Sequence, residues 1–223
     1  MRIVIAGGHG QIARLLARRL VRDGHSVTAL IRNPQHAADV EQDGSAAALV
    51  DLENATRDEV AAALQGADAA VFAAGAGPGS GAGRKDTVDR GASVILADAA
   101  EAAGVRRFVQ ISSMGTDSVR GGARPDGVDD VFYAYLQAKL AAEEDLTARS
   151  GLDWTVLRPG ALSNDAPTGT VRLDLSVPRA SVTRADVADV VAELLEQDAG
   201  ARLVLEVVGD GVPVAEAVAA LKA

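Results

Sequence analysis

Four groups of residues in this chain have types and spacings that can do chemistry. The first is Gly7-Gly8-His9-Gly10-Gln11-Ile12-Ala13, directly after an apolar run at residues 2–6. Gly7 allows a tight turn, and Gly10 lets backbone approach an anion. A helix starting near Gly10 aims its free N–H groups and positive dipole end at that anion. Ala13 stands where a small residue lets helix pack on strand. Such a turn, placed between the first strand and first helix of a βαβ unit, suits the pyrophosphate of a dinucleotide; the plainer alternative is a tight turn. The second group is Arg32, after the next apolar run. A carboxylate there would grip an adenosine 2′-hydroxyl, whereas an arginine suits a 2′-phosphate. Residues 26–35 hold no Asp or Glu, so NADP(H) is expected over NAD(H). The third is Tyr135 with Lys139, four apart and on one face of a helix. A phenol with a pKa near ~10 is a poor acid or base at neutral pH unless a cation stands beside it. The fourth is Ser112-Ser113, at the end of an apolar run, where a hydroxyl can hold a substrate carbonyl.

These groups need elements to position them. Short apolar runs at residues 2–6, 26–31, 46–50, 68–74, 105–112, 153–158 and 202–208 read as strands. Between them, helical spacing is expected over 11–23, 56–64, 86–103, 132–149, 184–197 and 214–221. Thr56 and Glu59 are spaced as a capping box, Thr183 as a cap, and Gly104 as a helix end. Strands alternating with helices predict an α/β fold, a parallel sheet covered on both faces, three layers in a single domain. Ligands of such sheets sit beyond the strand C-termini. Asp51 and Leu52 then fall where an adenine would lie. Ala73, Ala74 and Gly75 fall where small residues let a cofactor pass close to backbone. Two loops break the rhythm, a Gly-rich one at 75–83 and a polar one at 116–130.

Composition narrows the partners. The 223 residues contain no cysteine, which excludes disulfides, thiolate metal sites and a thiol nucleophile, and fits a reducing cytoplasm. No run of ~18 apolar residues is present, so no membrane partner is expected. A net charge of −9 and few aromatics argue against nucleic acid. His9, His25 and His36 lack metal-ligand spacing, so no metal is expected. Arg14, Arg18, Arg19 and Arg22 read as a solvated basic helix face, and Glu143, Glu144 and Asp145 as a solvated acidic one.

The glycine turn is followed in order by Ile111-Ser112-Ser113, Tyr135-Leu136-Gln137-Ala138-Lys139 and Leu157-Arg158-Pro159-Gly160. Thr183-Arg184-Ala185-Asp186-Val187-Ala188 comes before a late helix. Together these resemble the short-chain dehydrogenase/reductase superfamily, and more closely its atypical, epimerase-like or NmrA-like branch. The resemblance covers essentially the whole chain. It implies a Rossmann-type doubly wound sheet, a nicotinamide cofactor and a Ser–Tyr–Lys centre. Ser113 would be the catalytic serine, Tyr135 the acid/base, and Lys139 the residue that holds the ribose and tunes Tyr135. Pro159 and Gly160 would form the loop beside the nicotinamide, opening a small substrate-site portion from about residue 159 onward. Ala13 and His9 depart from the common pattern, and no upstream Asn matches the family's proton relay. The large substrate domain of sugar-nucleotide epimerases has no counterpart, which favours a small-molecule substrate. The two long helices could pair copies as a homodimer or pack within a monomer. The expected function is an NADP(H)-dependent oxidoreductase. A non-catalytic NADP(H) sensor, or a nicotinamide-dependent epimerase or dehydratase, stay open.

Overall fold

Alternation along the first strand divides the core in two. In β1 (Arg2–Ala6), Ile3 and Ile5 enter one apolar cluster, and Val4 and Ala6 another, as a period of two requires. The structure, a computed structural model, describes residues 1–77 and 79–222. The first half continues with α1 (Gln11–Arg22), β2 (Ser26–Ile31), α2 (Ala37–Gln42), β3 (Ala46–Leu49), α3 (Arg57–Ala63) and β4 (Ala69–Phe72). A short α4 (Ala82–Arg84) then runs through a π-helical stretch, Lys85–Gly91, into α5 (Ala92–Ala103). The second half is β5 (Arg107–Ile111), α6 (Asp130–Thr147), β6 (Asp153–Pro159), β7 (Ala161–Ser163), β8 (Thr170–Asp174) and β9 (Ser181–Thr183). The chain closes with α7 (Arg184–Glu196), β10 (Leu203–Gly209), β11 (Val212–Pro213) and α8 (Val214–Ala219).

Among the described residues the central sheet has nine strands in the order β11-β8-β10-β6-β5-β4-β1-β2-β3. From β3 to β10 every neighbouring pair is parallel. α1 packs with α7 over one face, and α3 with α5 over the other. The doubly wound, three-layer arrangement is therefore present, with its switch point between β1 and β4. No helix among the described residues is long and apolar enough to cross a membrane.

The sheet is not wholly parallel. β8 and β11 add antiparallel at one edge, and β7 pairs with β9 outside the main sheet. Buried Asp186 holds this reversal. It accepts from the N–H of Thr168 and Gly169 at 3.1 and 2.9 Å and from Thr183 Oγ1 at 2.8 Å. In β8 buried Val171 alternates with exposed Arg172 and Asp174, so this edge strand has no continuous apolar run to reveal it. The basic face of α1 is also not simply solvated. Arg14 and Arg18 pair with Asp43 at 2.5 and 2.7 Å, and Arg19 reaches Glu193 on α7 at 3.1 Å.

The C-terminal ends of β5 and β6 are joined by a buried ionic cluster. Glu143, expected on a solvated surface, is 3% exposed. Arg158 Nη2 lies 2.6 Å from its carboxylate, Thr116 Oγ1 lies 3.3 Å away, and Ser112 Oγ donates to it as well. Arg158 also reaches Asp117 at 2.5 Å. Burial disfavours the guanidinium charge, but the hydrogen bonds to Glu143 and Asp117 outweigh it and hold Arg158 above its ordinary pKa. A buried cation stripped of a partner costs several kcal/mol. Glu143→Ala should therefore lower unfolding free energy by about 3 kcal/mol, the low end because Asp117 remains. Urea denaturation measures this, and a loss below about 1 kcal/mol would contradict the role given to the pair.

Candidate functional site

The glycine turn lies at the switch point. Gly7 has φ +74°, and a Cβ there would stand 2.6 Å from the Ala74 backbone. Only glycine fits this crossing of β1 under the end of β4. The Gly8 N–H is taken by Leu30 O at 3.0 Å and the Gly10 N–H by Gly7 O at 2.8 Å. Gly8 therefore ties the turn to β2, while Gly10 begins α1 with no side-chain cap. The helices α3, α6 and α7 do carry side-chain caps, from Thr56, Asp129 and Thr183. The first N–H groups of α1, at Gln11, Ile12 and Ala13, are the orphan donors that a helix start directs outward.

This start opens on a cavity of ≈ 280 Å³ that Gly7, Gly10, Ala73, Ala74 and Gly75 help to wall. Small residues, an uncapped helix and an apolar slot at Val50 and Leu52 fit an extended dinucleotide. His9 also faces the cavity. It hydrogen-bonds Asp39 at 2.7 Å and stacks on His36 at 3.6 Å, and that bond holds the Asp39 carboxyl below its usual range. The Asp51 carboxylate turns to its own loop, accepting from Glu53 N–H and Asn54 Nδ2.

At the far end Arg32 lines the cavity, but not alone. Glu53 lies 2.9 Å from Arg32 and 2.6 Å from Arg84, and accepts from Thr87 Oγ1 at 2.8 Å. The Arg84 hydrogen bond is the main cause that keeps the Glu53 carboxyl below its ordinary pKa. Glu53 follows β3 and so lies outside residues 26–35, whose lack of Asp and Glu gave the expectation of NADP(H).

The other candidate residues gather at the ends of β5 and β6. Lys139 is 4% exposed; its Nζ lies 3.3 Å from Ile111 O and 3.3 Å from Asp89 Oδ1. Tyr135, one turn earlier, is half-buried and packs on Phe132. Lys139 Nζ stands 5.9 Å from its ring centroid and Lys85 Nζ 5.5 Å. The Tyr135 hydroxyl has no hydrogen-bond partner among the described residues. Ser113 is half-buried and, among the described residues, donates only to Met114 O at 3.3 Å, whereas Ser112 is committed to Glu143. Pro159 accepts from Met114 N–H, which ties its loop to Ser113. A Cβ on Gly160 would collide with Ala180 O. Ser113, Tyr135, Lys139, Pro159 and Gly160 do not line the cavity itself.

Asp89 bridges the two halves. It is 1% exposed, accepts from Ala76 N–H at 3.3 Å beside Gly75, and faces Lys139. Asp89 and Lys85 come from the π-helical stretch, a geometry common at functional sites. The helix expected over 86–103 contains Asp89 but stops short of Lys85, and neither residue stood out as a site candidate. Their spacing of four beside a Gly-rich loop was the available signal.

The model of a family described as NAD(P)H-binding matches residues 7–198. An uncharacterized sugar epimerase, YhfK, of Bacillus subtilis (strain 168) is 32% identical, over 97% of this chain and 98% of its own. A Bacillus halodurans protein, provisionally named an NAD-dependent epimerase/dehydratase, superposes with a TM-score of 0.89 at 34% identity, over 99% and 100% of the two chains. The anaerobilin reductase ChuY of Escherichia coli O157:H7 superposes at 0.79 with 25% identity, over 94% and 97%. The match over residues 7–198 spans the glycine turn, the cavity and the Tyr135–Lys139 face, and the chain belongs to the NAD(P)H-binding family.

Proposed function

We propose that this chain is an NADP(H)-dependent oxidoreductase for a small carbonyl or hydroxyl compound. The observation that carries the reading is the docking of α6. Lys139 Nζ lies 3.3 Å from the carbonyl of Ile111, so Tyr135 is held beside the strand end that carries Ser113. Fold-level likeness to a reductase and to epimerase-named relatives supports redox chemistry without naming the substrate.

The residues divide the work. The N–H groups of Gln11, Ile12 and Ala13 would hold the pyrophosphate, Arg32 would take the 2′-phosphate, and Leu52 would pack on the adenine. When bound, the nicotinamide supplies or accepts a hydride. Tyr135 exchanges a proton with the substrate oxygen, and Ser113 Oγ donates a hydrogen bond to that oxygen. Lys139 holds the ribose and keeps a positive charge near the phenol, while Asp89 holds Lys139. Pro159 and Gly160 close the nicotinamide side. The epimerase names favour a second reading, in which the hydride returns to the same substrate. Net consumption of NADPH separates the two.

Replacing Arg32 by Ala removes one charge-assisted contact. NADPH affinity should fall by roughly 1.5–3 kcal/mol and NADH affinity hardly at all. Calorimetric titration measures both, and wild-type affinities that are equal for the two cofactors would remove the preference.

The chemistry is tested by screening NADPH oxidation against small carbonyls, quinones and flavins, then comparing variants on the best substrate. Tyr135→Phe should lower turnover by at least ~10²-fold, the usual worth of general acid catalysis. Ser113→Ala should also lose turnover, with cofactor affinity unchanged in both. Near-normal turnover in Tyr135→Phe would overturn the mechanism.

A further inference from the structure

The adenosine end of the cavity holds more charge than a single 2′-phosphate contact needs. Three donors converge on the Glu53 carboxylate: Arg32 Nη1, Arg84 Nη2 and Thr87 Oγ1, at 2.9, 2.6 and 2.8 Å. Arg32 follows β2, Glu53 follows β3, and Arg84 and Thr87 belong to the helical segment that ends the Gly-rich loop. Arg32, Arg84 and Glu53 all line the cavity. The Arg32 and Arg84 side chains are 54% and 39% exposed, against 20% for Glu53. Both guanidinia are thus reachable by a ligand while already holding an anion.

Two guanidinia and a hydroxyl around one oxyanion form the donor set that a phosphate dianion takes. We propose that Arg84 is a second ligand for the cofactor 2′-phosphate, and that Glu53 is an internal anion competing with that phosphate for Arg32 and Arg84. This rests on the NADP(H) reading above and extends it to residues that the reading does not use. The physical reason is charge. The cluster of two arginines and one glutamate carries a net positive charge, which attracts a phosphate of about −2. The carboxylate opposes that phosphate at close range, where like charges repel. A ribose without the phosphate instead offers a hydroxyl donor, which the Glu53 carboxylate accepts. Glu53 therefore draws the two cofactors together in affinity, and the arginines draw them apart.

The test uses the full chain and two adenosine probes that lack the nicotinamide, 2′,5′-ADP and 5′-AMP, titrated by calorimetry. Arg84→Met should weaken 2′,5′-ADP by about tenfold or more and change 5′-AMP by less than about threefold. Glu53→Gln keeps the shape and the Thr87 contact but removes the competing charge. It should strengthen 2′,5′-ADP by about tenfold and leave 5′-AMP equal or weaker. The ratio of the two probes is read within each variant, so a general loss of affinity cannot imitate the effect. The proposal is overturned if both variants shift the two probes in parallel, which would make the cluster a tie between loops. It is equally overturned if Glu53→Gln weakens 2′,5′-ADP relative to 5′-AMP. Equal binding of the two probes by wild type counts against the cofactor preference alone. The competition then stands if Glu53→Gln opens a gap in favour of 2′,5′-ADP, and fails if it does not.

Discussion

The close crossing of Gly7 beneath Ala74 is the constraint on which the site depends. It brings the end of β1 against the end of β4 at a distance only a residue without Cβ tolerates. That crossing leaves α1 starting at Gly10, uncapped, over the edge of the sheet. A helix start buried without a partner would be costly, and here Gly10, at that start, lines an open cavity. The small residues Ala73, Ala74 and Gly75 line the same cavity from the neighbouring strand. Sheet order, turn and uncapped helix start are thus one geometric consequence of where the strand order reverses.

The π-helical stretch Lys85–Gly91 lies between that helix start and the residues proposed for proton transfer. A π-helix has a wider turn than an α-helix, and here it turns Lys85, Val88 and Asp89 inward. Thr87, with Arg84 just before it, reaches Glu53 at the adenosine end. Lys85 and Asp89 reach Tyr135 and Lys139 at the other. One short segment therefore sets the positions of groups at both ends of the proposed dinucleotide site. The Glu143–Arg158 pair does related work deeper in the sheet, fixing the strand ends on which Ser113 and Pro159 stand.

Much of this was legible in the residues themselves. The parallel strands, the Thr56–Glu59 capping box and the shared face of Tyr135 and Lys139 all follow from local spacing, and all are present. The missed features depend on partners remote in sequence. Glu143 sits among Glu144 and Asp145, and nothing local separates it from a solvated surface. Its signal was elsewhere: Arg158 interrupts an apolar strand, and a buried guanidinium requires a carboxylate. The edge strand β11 and the short α2 have too few apolar residues to show a period, whereas β8 opens a strict alternation, Val171, Leu173, Leu175 and Val177, that an expectation of continuous apolar runs passes over. The π-helical stretch carries a single apolar residue, Val88, so its periodicity is silent. Glu53 was missed because strand adjacency, not sequence distance, brings it to Arg32.

Dinucleotide phosphates seated on the start of α1, at the β1–β4 switch point, would shield its first amides from solvent. Hydrogen exchange with and without saturating NADPH tests it most directly. Exchange should slow at the amides of Gln11, Ile12 and Ala13 and across residues 73–75, with little change in residues 164–181. Tight NADPH binding that leaves the amides of Gln11 to Ala13 exchanging at their free rate would contradict it.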